Sequence, residues 1–112
     1  MKKLTISLES IEAIVFDFDG VLTDNKVYLN QDGKESVSCS RADGLAFDVL
    51  RKLQKSVYIL STERNPVITA RAKKLKIPAI QSVNNKADGI KQLAKKEVFD
   101  LQKTLYIGND LN

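Results

Sequence analysis

The segment Ala13–Asp24, AIVFDFDGVLTD, carries the strongest structural signal in the chain. The apolar run that begins at Ala13 predicts a strand buried on both faces, as strands of parallel sheets are. Asp17 and Asp19 follow this run, and the two-residue period of a strand directs both side chains to the same side. Two carboxylates in one place repel each other, so the pair requires a cation or a shared proton. The carboxyl end of a parallel strand is also where open α/β sheets bind ligands.

The composition predicts a single domain that covers residues 1–112. A chain of 112 residues can bury one core but has no room for a second. Hydrophobic residues make up 43% and charged residues 29%, which is ordinary for a globular domain. The net charge is +4, but the lysines are dispersed along the chain. Nucleic acid is therefore not expected as a partner, whereas an anionic small molecule is.

The cysteine and histidine contents narrow the possible chemistry. Cys39 is the only cysteine, so no intrachain disulfide can form, and a reducing, cytoplasmic location is expected. The absence of histidine excludes a Ser-His-Asp triad, a Cys-His pair and a histidine-bearing zinc site. Acid–base chemistry must then come from carboxylates, lysine or tyrosine. No segment approaches membrane-spanning length, so no membrane partner is expected.

Strand and helix patterns alternate after the acidic segment. The runs 26–30 and 35–39 surround Asp32-Gly33 and predict a β-hairpin. Further strands are predicted at 57–60, 77–81 and 104–107, and helices are predicted after Gly44, from Pro66 and near Lys86. The residues predicted to face inward are Ala46, Val49, Leu50 and Leu53 in the first helix, Ile68, Ala72 and Leu75 in the second, and Ile90, Leu93 and Ala94 in the third. This alternation predicts a three-layer, Rossmann-like α/β fold with a mostly parallel sheet.

The chain stops at Asn112, directly after the fourth predicted strand of the parallel sheet. A loop and further elements are expected at this point. A parallel sheet that ended there would leave an apolar edge and face uncovered. We therefore expect the C-terminal part of the fold to be missing from this sequence.

Polar residues follow three of the predicted parallel strands, whose carboxyl ends lie at one edge of the sheet. They are Asp17 and Asp19, Ser61 and Thr62, and Asn109 and Asp110, with Lys86 entering from a nearby helix start. Carboxylate and amide oxygens are the ligands that suit Mg²⁺. A hydroxyl, a lysine and helix N-terminal amides suit phosphate oxygens. Together these groups predict phosphoryl transfer, in which a carboxylate can act as the nucleophile and form an aspartyl-phosphate.

Four short motifs resemble, in order and spacing, those of the haloacid dehalogenase (HAD) superfamily of phosphatases. They are DFDGVLTD at 17–24, LST at 60–62, NK at 85–86 and GNDLN at 108–112. The resemblance implies that Asp17 is the nucleophile, and that Asp19 is first the general acid and then the general base. It also implies that Asp19 gives its backbone carbonyl to Mg²⁺. By the same resemblance Ser61 holds the transferring phosphoryl group, while Lys86 neutralises it and orients Asp17.

The fourth motif departs from the HAD pattern at its metal ligand. That motif usually reads Gly-Asp, and Asn109 stands in the slot of the ligating acid. An amide oxygen can still bind Mg²⁺, although with less charge, and the adjacent Asp110 is the second candidate ligand. The further acid of the motif is expected just after Asn112.

The hairpin after the first motif, with no cap domain, most resembles a small capless branch of the superfamily. This branch contains 3-deoxy-D-manno-octulosonate 8-phosphate phosphatase and the N-acylneuraminate or KDN 9-phosphate phosphatases. The segment at about 26–40 is the expected hairpin flap. The resemblance implies a 2-keto-3-deoxy sugar acid phosphate as substrate, and a homotetramer in which a neighbouring subunit's hairpin closes the site.

Four residues are candidates for substrate binding, namely Thr62, Glu63, Arg64 and Arg71. Thr62, Glu63 and Arg64 replace the Gly-Arg pair that typically follows the second motif in the octulosonate enzymes. A glutamate at position 63 resembles the nine-carbon branch and favours a sialic-acid-type 9-phosphate. Arg71 stands where the branch carries an arginine that meets the carboxylate of the sugar acid.

Two other functions remain open. Asn109, together with the missing acid expected after Asn112, also fits a catalytically silent HAD-like oligomerisation module. The resemblance implies that such a module could support a CMP-sialate synthetase, because similar domains are found fused to these enzymes. A phosphoacceptor receiver domain has a similar length, acidic rim, hydroxyl and lysine. Receivers, however, carry the acceptor aspartate on the third strand, where this chain reads Ile80-Gln81-Ser82.

Overall fold

A four-stranded parallel sheet forms the centre of the fold in the computed structural model, which describes residues 8–24 and 26–108. The strands and helices are β1 (Ala13–Asp17), β2 (Tyr28–Leu29), β3 (Glu35–Ser36), α1 (Ala42–Lys52), β4 (Ser56–Leu60), α2 (Pro66–Leu75), β5 (Ala79–Ile80), α3 (Lys86–Glu97) and β6 (Thr104–Ile107). Short 3₁₀ helices cover Leu8–Ser10 and Leu101–Lys103. The sheet order is β5-β4-β1-β6, and every neighbouring pair is parallel. The predicted three-layer α/β fold is confirmed.

Alternate residues of the central strands face different helices. Val57 and Ile59 of β4 pack in a core with α1 and α2, whereas Tyr58 and Leu60 pack in a second core with α3. Ala13 and Val15 of β1 belong to the α3 core, so the two-residue period also places Asp17 on the α3 side. The alternation along β1 therefore places the Asp17 side chain on the face of the sheet that α3 covers.

Two asparagines begin helices where the sequence predicts them. The Asn65 side chain accepts a hydrogen bond from the Val67 backbone N–H, with Pro66 at the first helical position. The Asn85 side chain accepts from the Asp88 backbone N–H, so α3 begins at Lys86. The inward residues predicted for α2 and α3 are confirmed, since both helices pack on the sheet through those positions.

The inward face predicted for α1 is wrong. Val49 is 55% exposed and Leu53 46% exposed, while Phe47 is the buried residue of the helix. The Phe47 ring packs edge-on against Phe16 of β1, with 5.1 Å between ring centroids. With Phe47 packed inward, the buried face of α1 is rotated by about 100°, the angle of one residue, from the predicted face. Leu50 is the predicted inward residue that still packs against the core.

The segment between β1 and α1 contains a short antiparallel hairpin. Tyr28 pairs with Ser36 and Leu29 pairs with Glu35, so the strands are shorter than the predicted runs 26–30 and 35–39. Gly33 has a φ of +79° in the turn, a conformation that glycine adopts without strain. A single bridge between Thr23 and Cys39 closes the base of this hairpin. Within the described ranges, no helix is long and apolar enough to cross a membrane.

Candidate active site

Asp17 and Lys86 meet at the carboxyl end of the central strand. The Lys86 Nζ donates a hydrogen bond to Asp17 Oδ2 at 2.9 Å, and the Phe18 backbone N–H donates to Asp17 Oδ1 at 2.9 Å. The side chains of Asp17 and Lys86 are 9% and 36% exposed. Asp17 is the last residue of β1, and the Asn85 cap makes Lys86 the first residue of α3. These two local features bring together side chains that are 69 residues apart in the sequence.

Asp19 lies beside this pair and is half-buried. Partial burial is the largest cause that raises the pKa of Asp19, and the negative charges of Glu63 and Asp17 raise it further. The positive charge of Lys86 acts in the opposite direction. A raised pKa favours the protonated acid, which is the form that can protonate a leaving group.

Lys86 also interacts with a residue that the sequence reasoning missed. The hydrogen bond to Asp17 is the largest cause that raises the pKa of Lys86, partial burial opposes it, and the phenol of Tyr106 contributes in the raising direction. Tyr106 lies on β6 opposite Val15, on the α3 side of the sheet. The two-residue period of β6 puts Tyr106 on one face of that strand, but only the register with β1 shows that this is the face that carries Asp17.

Ser61 directly follows Leu60, the β4 residue that pairs with Asp17. It is only 1% exposed, and its backbone N–H donates to the Ile80 carbonyl at 2.9 Å. Its Oγ accepts a hydrogen bond from the Glu63 backbone N–H at 3.1 Å. The hydroxyl is therefore held firmly at the sheet edge and retains its own hydrogen as a donor.

The four substrate-binding candidates are not gathered in one place. Thr62 lines a cleft of about 400 Å³ together with Lys86 and Tyr106, and Glu63 acts electrostatically on Asp19. Arg64 lines a different cleft.

Arg71 and Arg64 face other surroundings. The Arg71 Nη2 donates to the Ser40 carbonyl at 2.6 Å, close to Asp43, which it influences electrostatically. Arg64 shares its cleft with Lys73 and Gln81. A substrate role for either arginine remains a prediction.

Asn109 and Asp110, the predicted metal ligands of the fourth motif, lie outside the described residues. β6 runs parallel to β1 and ends at Ile107 beside Phe16, so the described chain reaches the same edge of the sheet at Gly108. Among residues 8–24 and 26–108, no three side chains of His, Cys, Asp or Glu are grouped as a metal site.

The described donor atoms at this edge are compatible with a magnesium ion. A carboxylate has about four lone-pair sites, and within residues 8–24 and 26–108 the Asp17 carboxylate accepts from the Phe18 N–H and the Lys86 ammonium. The remaining sites, together with the Asp19 backbone carbonyl, are hard oxygen donors of the kind that Mg²⁺ prefers. Two of the four predicted ligands are thus present at one end of the sheet.

Comparison with solved structures identifies the fold. A Streptomyces avermitilis protein described as a HAD family hydrolase superposes with a TM-score of 0.89 and 44% identity, over 96% of this chain and 62% of that one. The 3-deoxy-D-manno-octulosonate 8-phosphate phosphatase of Moraxella catarrhalis, solved with magnesium, phosphate and KDO, gives 0.84 and 30%, over 91% and 59%. The chain has the HAD-like fold, and the HAD resemblance predicted from its motifs is confirmed.

Comparison with curated proteins points to the same branch of the superfamily. The chain is 30% identical over 104 residues to the octulosonate 8-phosphate phosphatase of Haemophilus influenzae, covering 92% of this chain and 58% of that protein. It is 24% identical over 106 residues to N-acylneuraminate cytidylyltransferase A of Danio rerio, covering 91% of this chain and 24% of that protein. No protein-family model matches the chain. The chain thus spans somewhat more than half the length of the phosphatases that it resembles.

Proposed function

We propose that this chain acts as a Mg²⁺-dependent phosphomonoester hydrolase on a 2-keto-3-deoxy sugar acid phosphate. The observation that carries the proposal is the 2.9 Å contact between Lys86 and Asp17 at the carboxyl end of the central strand, with Asp19 beside it. A nearly buried carboxylate that is oriented by a lysine suits nucleophilic attack on phosphorus. The similarity to octulosonate phosphatases supports the same chemistry.

The proposed reaction has two steps that use the same carboxylates. An Asp17 oxygen forms a bond to phosphorus while the bond from phosphorus to the alcohol oxygen breaks, and Asp19 gives its proton to the departing alcohol. Asp19 then takes a proton from water as the water oxygen attacks phosphorus. The bond to Asp17 breaks, inorganic phosphate leaves, and Asp19 is protonated again.

The negative charge that opposes this attack would be offset by Lys86 and by a magnesium ion, when bound. Lys86 supplies one positive charge next to Asp17, and its raised pKa keeps the ammonium protonated at neutral pH. Asp17, the Asp19 carbonyl and Asn109 or Asp110 are the proposed ligands of Mg²⁺. When bound, the ion supplies charge neutralisation for the attacking carboxylate and the phosphoryl oxygens.

The proposed phosphoryl contacts of Ser61 and Lys86 follow from their places at the sheet edge. The buried Ser61 hydroxyl can donate to a phosphoryl oxygen while it accepts from Glu63. Lys86 has three N–H donors, so donors remain beyond the one that it gives to Asp17. Ser61 follows the carboxyl end of β4, and Lys86 reaches Asp17 at the carboxyl end of β1 from the start of α3.

Glu63 and Arg71 bear on the choice of sugar acid. We favour N-acylneuraminate or KDN 9-phosphate over octulosonate 8-phosphate, because Glu63 occupies the position that resembles the nine-carbon branch. Arg71 is proposed to meet the sugar carboxylate, and Thr62 and Arg64 to contact the sugar. The similarity to octulosonate phosphatases makes the direct comparison of eight- and nine-carbon substrates the necessary test.

The proposed assembly is a cytoplasmic homotetramer in which a neighbour's hairpin closes the site. The three consecutive hairpin residues Val27, Tyr28 and Leu29 are exposed apolar side chains, which would be covered by such a contact. Light scattering coupled to size exclusion tests the tetramer. Replacement of Leu29 by Asp should then yield smaller species with the same far-UV circular dichroism.

The phosphatase proposal is tested by phosphate release from an aryl phosphate with and without Mg²⁺. Asp17→Asn should reduce turnover to background. The matched control is Asp48→Asn, an exposed acid of α1 outside the hairpin and the site, which should leave turnover unchanged. Undiminished activity of Asp17→Asn would contradict the assignment.

A catalytically silent module is the second candidate function. It is favoured by the similarity to N-acylneuraminate cytidylyltransferase A, in which this chain corresponds to 24% of the length, and by Asn109 in the metal-ligand slot. The module would oligomerise and support a CMP-sialate synthetase without turnover of its own. A stable oligomer that releases no phosphate from either sugar acid phosphate, with Mg²⁺ present, would favour this function.

A further inference from the structure

Tyr106 and Gly108 form a local arrangement next to the Asp17–Lys86 pair. Tyr106 lies on β6 opposite Val15 of β1, and the register places Ile107 opposite Phe16. One further residue sets Gly108 beside Asp17. Tyr106 and Gly108 are thus two residues apart on the α3 side of the sheet, with Gly108 nearer the carboxyl end.

The Tyr106 ring occupies the space that a side chain at position 108 would need. A Cβ built on Gly108 would lie 2.5 Å from Tyr106 Cε1 and 3.0 Å from both Cζ and the phenol oxygen. Real Cβ atoms do not approach ring atoms so closely, because the carbon contact distance is about 3.5 to 4.0 Å. The ring therefore leans along the strand towards the carboxyl end of the sheet, over the glycine.

This lean keeps the Tyr106 ring at the cleft that Lys86 also lines. Both residues line the same cleft of about 400 Å³, together with Gly108 and Thr62, and the two groups interact there. A lysine ammonium is a point charge on a flexible stem, so one contact to Asp17 leaves its position weakly defined. A second contact, from a different strand, restricts it.

We propose that Tyr106 is a positioning residue, which holds the Lys86 ammonium on Asp17, and that Gly108 is required because it leaves room for the Tyr106 ring. The inference rests on the proposed phosphatase function of the same site. Tyr106 acts through Lys86 and needs no contact with the substrate. The absence of a side chain at position 108 is then a packing requirement of the site.

The kinetic test compares Tyr106→Phe with a hydroxyl deletion elsewhere on the same face. Tyr58 of β4 also lies opposite Val15, on the other side of β1, so Tyr58→Phe is the matched control. The change removes the polar end of a ring that lines the cleft beside a charged, partly exposed ammonium. We therefore expect kcat of Tyr106→Phe to fall by about tenfold, with KM changed less than about twofold. An unchanged kcat, or a raised KM alone, would overturn the proposal.

Gly108→Ala tests the packing half of the proposal. Its new methyl group should displace the Tyr106 ring and lower kcat by about as much as Tyr106→Phe. Because both changes act on one contact, the double variant should be no more than about twofold slower than either single variant. Multiplicative losses in the double variant would show that Gly108 acts by another route and would overturn this half.

The NMR signal of the Lys86 ammonium tests the positioning role of Tyr106 without any measurement of phosphatase activity. In ¹⁵N-labelled protein, the Nζ signal of Lys86 is assigned by its loss in Lys86→Arg. Tyr106→Phe and Gly108→Ala should shift this signal, whereas Tyr58→Phe should not. If the wild-type chain releases no phosphate, the proposed function fails, while the shift still decides whether Tyr106 positions Lys86. An identical Lys86 signal in all variants would overturn the proposal.

Discussion

The ion pair between Lys86 and Asp17 should contribute to folding stability, which can be measured without any substrate. Lys86→Met keeps the length of the stem but removes the ammonium, and leaves a carboxylate that is 9% exposed with the Phe18 N–H as its described donor. A hydrogen bond to a charged group contributes about 1.5 to 3 kcal/mol. Lys86 is 36% exposed, so water screens the pair and the lower end applies.

We therefore expect Lys86→Met to lower the free energy of unfolding by about 1.5 kcal/mol at pH 7. Urea denaturation of the wild type, Lys86→Met, Asp17→Asn and the double variant forms a double-mutant cycle. The cycle should give a coupling energy of about 1.5 kcal/mol. Lys91→Met is the matched control, because Lys91 is an exposed lysine of the same helix. Additivity within about 0.5 kcal/mol would refute the reasoning that this pair is a structural contact.

Three further predictions concern pH, metal and stability. Glu63→Gln removes a negative charge that raises the pKa of Asp19, so the pKa of Asp19 should fall. The alkaline limb of the pH profile of kcat/KM for an alkyl phosphate should then move to lower pH. An alkaline limb at the same pH would contradict the role of Asp19 as the general acid. Removal of divalent ions by EDTA should abolish phosphate release, and added Mg²⁺ should restore it; full activity in EDTA would exclude the proposed metal dependence. Val98 ends α3 with a φ of 58°, which is unfavourable for a β-branched residue, so Val98→Gly should raise the free energy of unfolding by about 1 kcal/mol. Lys76→Gly, at the same position of α2, should gain less, and equal gains would contradict the branching argument.

Local sequence signals predicted where Asp17 and Lys86 lie in the fold. The apolar run before Asp17 defined a buried strand, and its two-residue period determined which face the carboxylate takes. The Asn85 cap determined where α3 begins and hence where Lys86 lies. These features depend on neighbours within a few residues, which is the range over which sequence patterns carry information.

Contacts that depend on the packing of whole elements were not predicted. The rotation of α1 is decided by the Phe47 ring against Phe16, a partner 31 residues away in sequence. The Arg71 side chain reaches the Ser40 carbonyl because of how α2 lies against the segment before α1. The place of Tyr106 at the site was not predicted, because it depends on the parallel register between β6 and β1. The residues of β6 alone do not specify that register.

The central claim is that Asp17 is the group that accepts the phosphoryl group. Rapid mixing with a sugar acid phosphate and Mg²⁺, acid quenching, and mass spectrometry of the peptide that contains Ala13–Asp24 tests it most directly. We expect a transient phosphoryl label on Asp17, absent from Asp17→Asn. Steady release of phosphate by the wild type with no label on Asp17 at any time, or a label on another residue, would contradict it.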